Sequence, residues 1–560
     1  MPKLYEALAE AFRAEGVDTQ FVLMGDGNMH WSTAFAKLPG VESVHVRHEH
    51  VTVAAATAYN VATGKVAVAS VTCGPGVTQL MTALPAAARA RLPMVVFAGE
   101  SPINAKFYNQ AIDQAPLVTA TGAKYIAAHS LPRMMDYVRE AFHVAKYERC
   151  PVVLGIPYDL QKVEHMANTP YETSAMYRPK TGRMHPDPEM VAEIVERLAA
   201  AKRPIIFGGR GVLWSGARDA VVRLADRCGA LLANTLPTRG LFHDHPFGLG
   251  IAGSYFSSLG KEMFESADLV LAIGTSLSYY TGVGHFWGKS LKIQVDDAPR
   301  GLRDGQKAAD IYLQADARVG AEAILAGLDK KLGAGKPTAA EIRSKALAHR
   351  IATEPADSMH FDIEPGVLDP RKVIEALDPV IPKDWDIVIG GGHQAYFNAQ
   401  MRGRPAERYT TIREFGAVGN GLSYALGVAA ARRQGREGKI VLFEGDGGFL
   451  FHIQELETLK RQGYRILMCI MNDGGYGSEF HKLRADGIDD SLALFGRPPL
   501  ENIARGFGLR GHEIRDVSVI PKLFKDFTAQ GESELWNIQI SDKVTAPVIR
   551  QTIKRGHGVM

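Results

Sequence analysis

Asp446 and Asp473 stand at the ends of two apolar runs, "KIVLFEGDGG" and "YRILMCIMNDGG", each closed by glycines. Between them "HIQELETLKRQ" carries Ile453, Leu456 and Leu459 at helical spacing, so the stretch reads strand, crossover helix, strand. Parallel strands joined in this way bring both acids to one edge of a sheet. Adjacent carboxylates repel unless a cation lies between them, and a hard divalent ion with oxygen ligands suits the pair. Gly445, Gly447, Gly448, Gly474 and Gly475 let backbone approach a phosphate closely and leave a carbonyl free for the ion. Taken singly, GDG and DGG are also ordinary turns. Paired across one βαβ unit, they point to a magnesium–diphosphate site.

The elements that must position these acids recur along the chain. Short β-branched runs such as "VAVASVTC", "MVVFAGE", "RPIIFGGRG", "LVLAIGTS" and "DIVIGGG" alternate with longer helical stretches and mostly end in glycine turns. That is the pattern of buried parallel strands, and it predicts an α/β fold of three doubly wound parallel-sheet domains. Two segments rich in Pro, Gly and charge, Thr169 to Met190 and Leu332 to Pro370, read as linkers. The expected domains are residues 1–175, 188–335 and 360–560. Ligands in such sheets sit beyond the carboxyl ends of the strands, where the glycine turns are.

At 560 residues the chain has ample material for several cores. Its 64 basic and 61 acidic residues nearly cancel, and no basic block marks a nucleic-acid footprint. Cys73, Cys150, Cys228 and Cys469 form no CxxC pair, which argues against a zinc site or a disulfide framework and for a reducing compartment. No signal peptide and no membrane-length apolar run is evident, so a cytoplasmic location without membrane partners is expected. No glycine turn shows GxGxxG with an acid about twenty residues on, against a nicotinamide oxidoreductase.

The paired turns resemble the thiamine diphosphate-binding signature of the 2-oxoacid decarboxylase and acetolactate synthase superfamily, and three further stretches agree in order. The resemblance implies that Asp446, Asp473 and the carbonyl of Gly475 hold Mg²⁺, with Gly445, Gly447, Gly448 and Tyr476 at the cofactor; most relatives have Asn where this chain has Asp473. "VESVHVRHEHVTVAAATAYNVATG" places Glu49 at a helix start, where the family's acid activates the aminopyrimidine. "SVTCGPGVTQLMTAL" resembles the family's Thr-Ser-Gly-Pro-Gly turn, with Gly74 and Gly76 lining the cofactor and Cys73 a small buried residue. "DIVIGGGHQAYF" resembles the Gly-Gln-His-Gln turn, putting Gly392, His393 and Gln394 at the diphosphate, Gly392 standing where relatives often have Gln. "REFGAVGNGLSYALGVA" resembles the segment that receives the aminopyrimidine, through the Gly416 carbonyl and the Val418 wedge.

The same resemblance implies a C2 ylid that attacks a 2-oxoacid carbonyl, followed by decarboxylation and then protonation or carboligation; cleavage of acyloins, diketones or 2-hydroxyacyl substrates is the alternative. Asp26 in "VLMGDGNMHW" and Glu479 in "GGYGSEFHK" fall near decarboxylase proton-handling positions, with Asn28 or His30 as polar contacts, and Gln114 matches a glutamine of acetolactate synthases. Each of these acids also reads as a solvated loop group, and Lys482 and Arg484 read equally well as substrate contacts or as a charged helix face. The middle third resembles the domain that binds FAD or ADP in some relatives, but Gly208, Gly209 and Gly211 make a weak turn and "TSLSYYTG" replaces the arginine segment of flavin binders. Scaffolding is therefore expected there. Glu49 and the metal acids fall in different domains, which in the family means a homodimer or homotetramer with sites between subunits.

Overall fold

A computed structural model describes residues 2–165, 170–283, 287–298, 302–303, 305–333, 338–432 and 437–554. The first sheet holds Thr19–Val22, Glu42–His45, Ala67–Val71, Met94–Glu100, Lys124–Ala127 and Pro151–Pro157, all parallel. In space their order is second, first, third, fourth, sixth, fifth. The third sheet, of Asp386–Ile389, Tyr409–Thr411, Ile440–Gly445, Leu467–Asn472, Arg510–Ile514 and Glu534–Gln539, repeats that order strand for strand. Between them Pro204–Gly208, Leu231–Asn234, Gly248–Ile251, Leu269–Ile273, Leu291–Asp296 and Ile311–Gln314 run third, second, first, fourth, fifth, sixth. The three doubly wound parallel sheets expected from the sequence are present.

Doubly wound sheets have a switch point where the winding reverses, and a crevice opens there. In the outer sheets it lies between the first and third strands. In the third sheet the switch-point loops begin at Gly390 and Asp446; in the first they begin at Leu23 and Thr72. In the middle sheet the corresponding loops pack on each other. A Cβ on Gly211 would stand 2.5 Å from the Gly274 Cα, and one on Gly209 2.4 Å from the Gly274 carbonyl. The weak glycine turn of the middle domain thus serves close backbone packing.

One core spans the two outer domains. Glu49–Thr63, a run of small apolar residues, lies against Gly421–Ala431, which is apolar all round and correspondingly buried. Gly427 makes the approach possible, because a Cβ there would sit 2.0 Å from the Ala55 carbonyl oxygen.

Two expectations need correction. The crossover between the paired acids is two helices, Asp446–Leu450 and Glu455–Gln462, because the chain turns into a helix directly at Asp446. The second expected linker contains the helix Lys345–Thr353, held by burial of Ile342 and Leu347 in a core of the middle domain. Residues 166–169 and 334–337, at the expected linkers, lie outside the described residues.

Candidate active site

The switch point of the third sheet carries a pocket whose lining comes from the loops after the first, second, third and fourth strands. Thirteen of the residues singled out in the sequence line it: Gly392, His393 and Gln394; Gly416 and Val418; Gly445, Asp446, Gly447 and Gly448; and Asp473, Gly475, Tyr476 and Glu479. Gly392 and Gly416, at φ of +109° and +73°, have nothing within 4 Å of where a Cβ would stand. Side chains there would project into open space, so this part of the wall is backbone only. Gly475 is confined instead: a Cβ would meet the Ala493 carbonyl at 2.5 Å.

Asp446 opens its short helix and is buried, its Oδ2 accepting from the Gly474 N–H at 2.9 Å. Burial, then the neighbouring charge of Asp473, push its carboxyl well above the usual carboxylate range. Burial also raises Asp473, against the Gly475 N–H and the Arg497 guanidinium. The pair carries more negative charge than its surroundings compensate. Among the described residues no cluster of three His, Cys, Asp or Glu side chains is arranged to hold a metal. A cation between the two acids therefore needs further oxygens, from backbone and from a ligand, as Mg²⁺ with a diphosphate supplies.

His393 adds an orphaned donor. Its Nε2 accepts from the Ala546 N–H at 2.9 Å, which puts the ring proton on Nδ1. Nδ1 is buried without a partner, the nearest charged group being the Asp473 carboxylate at 3.8 Å. Burial pushes the imidazole down to about 4, so it is a neutral donor. Gln394 lines the pocket but engages its amide locally, donating to the Gly391 carbonyl at 3.0 Å and accepting from Asn398 at 2.5 Å. Behind the pocket Glu444 is fully buried. Burial raises it to about 8, against the N–H of Gly421, the Arg413 charge and the N–H of Leu422.

Asp26, Gly74 and Gln114 meet at the switch point of the first sheet. Gln114 is buried and accepts from the Gly74 N–H at 2.8 Å, while its amide donates to the Gly99 carbonyl at 3.1 Å and the Tyr125 hydroxyl at 3.0 Å. The Tyr125 hydroxyl donates to Glu100, which also meets His129. Gln114 thus clamps the Gly74 turn, where a Cβ would stand 2.2 Å from the Gln110 carbonyl. Gly76 is closed in by Thr72, whose Cγ2 would be 2.9 Å from a Cβ there. Asp26 faces outward and accepts from the Tyr108 hydroxyl at 3.4 Å. Asn28, expected as a substrate contact, is instead wholly buried and ties the Gly25 and Leu23 backbone together.

Glu49 begins its helix half-buried, its carbonyl accepting from the Thr52 hydroxyl at 2.6 Å. Three histidines surround this helix start. The His50 and His452 rings stack at 4.8 Å, His48 lies 5.4 Å from His452, and His50 Nε2 donates to Asn420 at 2.5 Å. Nothing in the sequence linked residues 48 and 50 to 452. Within one chain neither Glu49 nor Asp26 nor Gln114 lines the pocket, whose lining comes from the third domain alone. Of the basic groups expected near a substrate, Arg484 is tied to Asp490 at 2.6 Å and Asp542 at 2.7 Å, and Lys482 lies 3.4 Å from Glu479.

Three family models match in sequence order. Residues 2–117 match "Thiamine pyrophosphate enzyme, N-terminal TPP binding domain", 191–325 its "central domain" and 390–535 its "C-terminal TPP binding domain". The chain belongs to the thiamine diphosphate-dependent 2-oxoacid decarboxylase and acetolactate synthase superfamily. Among its relatives is a probable 2-ketoarginine decarboxylase of Pseudomonas aeruginosa, 28% identical over 536 residues, 92% of this chain and 90% of the relative. A probable acetolactate synthase large subunit of Methanococcus aeolicus is 25% identical over 550 residues, covering 93% and 89%. Acetolactate synthase 2 of Nicotiana tabacum is 26% identical over 487 residues, covering 84% and 71%. The chain is thus a thiamine diphosphate-dependent enzyme of the decarboxylase and carboligase type, and no described helix is long and apolar enough to cross a membrane.

Proposed function

We propose that the enzyme holds thiamine diphosphate and Mg²⁺ in the third-domain pocket and decarboxylates a 2-oxoacid, with Glu49 contributed by a second copy of the chain. The observation that carries this is the pairing of Asp446 and Asp473 in one backbone-walled pocket beside the unpartnered Nδ1–H of His393. Both acids and the Gly475 carbonyl would hold the ion, and His393 would donate to a diphosphate oxygen. When bound, thiamine diphosphate supplies a carbon nucleophile and an electron sink that let a 2-oxoacid lose CO₂. Val418, packed over Gly391, supports the aminopyrimidine, with the Gly416 carbonyl beside it. Glu49 is read as holding the proton at the aminopyrimidine N1′, and Glu479 as the acid that delivers a proton once CO₂ has left. Glu479 lines the pocket within one chain, and Asp26 and Gln114, on the same domain as Glu49, would join it from the second copy.

A homodimer is the smallest assembly that brings Glu49 to this pocket, and a homotetramer doubles the arrangement. The close packing of Gly209 and Gly211 on Gly274 supports a scaffolding role for the middle domain. Four free cysteines accord with a cytoplasmic enzyme. The relatives' names favour a 2-oxoacid substrate over acyloins or diketones. The test is a panel of 2-oxoacids with added thiamine diphosphate and Mg²⁺, following CO₂ and products. CO₂ release from at least one acid, lost in Glu49→Gln, is expected; Glu49→Gln turning over at the parent rate would refute the role given to Glu49.

A further inference from the structure

Three carboxylates line the pocket, from Asp446, Asp473 and Glu479, and a single basic side chain faces them, that of Arg413. His393 engages its Nε2 with the Ala546 N–H and offers the pocket one donor, at Nδ1. Two acids and one divalent ion cancel, so a bound diphosphate, which carries at least two negative charges, would still lack a counter-charge from the protein. Arg413 is placed to supply it. Its Nη1 donates to the Gly392 carbonyl at 3.3 Å, at the turn where the wall has no side chain. Its backbone N–H donates to Glu414 at 2.8 Å, and Glu414 is itself paired with Arg210 of the middle domain, so the base of the side chain is pinned. The guanidinium lies 5.9 Å from the Tyr255 ring. Its only hydrogen bond among the described residues is the long one to Gly392, leaving most of the planar fork free.

We propose that Arg413 is a binding residue for the anionic diphosphate end of the cofactor, filling from a neighbouring loop the donor position that Gly392 leaves vacant. This rests on the cofactor reading above. A fork of donors reads two phosphate oxygens at once, and a lysine point charge does so less well. The same fork could meet a substrate carboxylate, and the experiment separates the two.

Equilibrium dialysis of thiamine diphosphate at saturating Mg²⁺ compares the parent, Arg413→Gln and Arg413→Lys, with inorganic pyrophosphate as competitor. Arg413→Gln is expected to raise the Kd about tenfold, the usual worth of a charge-assisted hydrogen bond, and to weaken pyrophosphate in the same ratio. Arg413→Lys is expected to weaken binding by about threefold, and it carries the test if Arg413→Gln does not fold. A Kd within twofold of the parent in every variant that folds overturns the proposal, and a raised KM for the 2-oxoacid alongside it would assign the fork to the substrate carboxylate. A parent that binds no thiamine diphosphate would instead end the cofactor reading itself.

Discussion

Gly427→Ala tests the packing that seats the helix bearing Glu49. Glycine inside a helix normally costs about 1 kcal/mol relative to alanine, so replacement at a free position stabilises. At Gly427 the added methyl would stand 2.0 Å from the Ala55 carbonyl oxygen and 3.0 Å from the Ala58 Cβ. Ordinary Cβ contacts start at 3.4 Å, so Glu49–Thr63 and Gly421–Ala431 must part by about 1.4 Å, the difference of the two distances. Overpacking of this kind costs about 1–3 kcal/mol. Because both helices are buried along their contact, the upper end applies, and a net loss of about 2 kcal/mol remains after the gain in helix propensity. Gly506, at the end of Leu500–Gly506 with nothing within 4 Å of a Cβ, is the control: Gly506→Ala should gain about 0.5 kcal/mol. Urea denaturation of both variants measures the pair of signs. Equal stabilisation by the two replacements would refute the close approach.

Further outcomes follow from the same contacts. Burial, with like charges nearby, holds His452 and His481 down at about 3, and burial holds His393 at about 4, against 6.5 for a free imidazole. A base whose pKa falls on folding takes up its proton preferentially in the unfolded chain. The stability it contributes is therefore complete above the unfolded value and is lost as pH falls toward the folded one. At pH 5 each of the three costs about 2 kcal/mol, while buried acids raised on folding, such as Glu444, regain stability as pH falls, so the histidine contribution is read as a difference between variants. Relative to the parent, His452→Phe should gain about 2 kcal/mol of stability between pH 7 and pH 5; a difference that does not change with pH would contradict the assignment. Arg404 is fully buried, donates to the Ile381 carbonyl at 2.7 Å and pairs with Asp378. Asp378→Ala strands its charge and should cost about 3 kcal/mol, measured by the same denaturation; a change below about 1 kcal/mol would mean the guanidinium reaches water.

The third-domain pocket was legible in the sequence because each of its parts is local. An apolar run followed by a glycine turn fixes both a strand and the loop at its end, and parallel winding sends successive loops to one edge. Thirteen of the chosen residues therefore share one wall. What could not be read were partnerships between distant segments. Gln114 matched a substrate-facing glutamine, yet its hydrogen bonds go to Gly74, Gly99 and Tyr125, which only the folded first sheet brings together. The grouping of His48, His50 and His452 depends on the packing of two domains. Arg413 lay inside a quoted segment, but only the Gly392 carbonyl beside its Nη1 gives it a role. The helix Lys345–Thr353 escaped notice because its neighbours are rich in Pro and charge, while its apolar anchors, Ile342 and Leu347, are few.

The central claim is that a divalent ion lies between Asp446 and Asp473 and binds a diphosphate. A crystal grown with Mn²⁺ and thiamine diphosphate, examined by anomalous diffraction, tests it directly. The account predicts one strong anomalous peak bonded to both carboxylates, to the Gly475 carbonyl and to diphosphate oxygens. A peak elsewhere, or both carboxylates turned away from a bound cofactor, would contradict it.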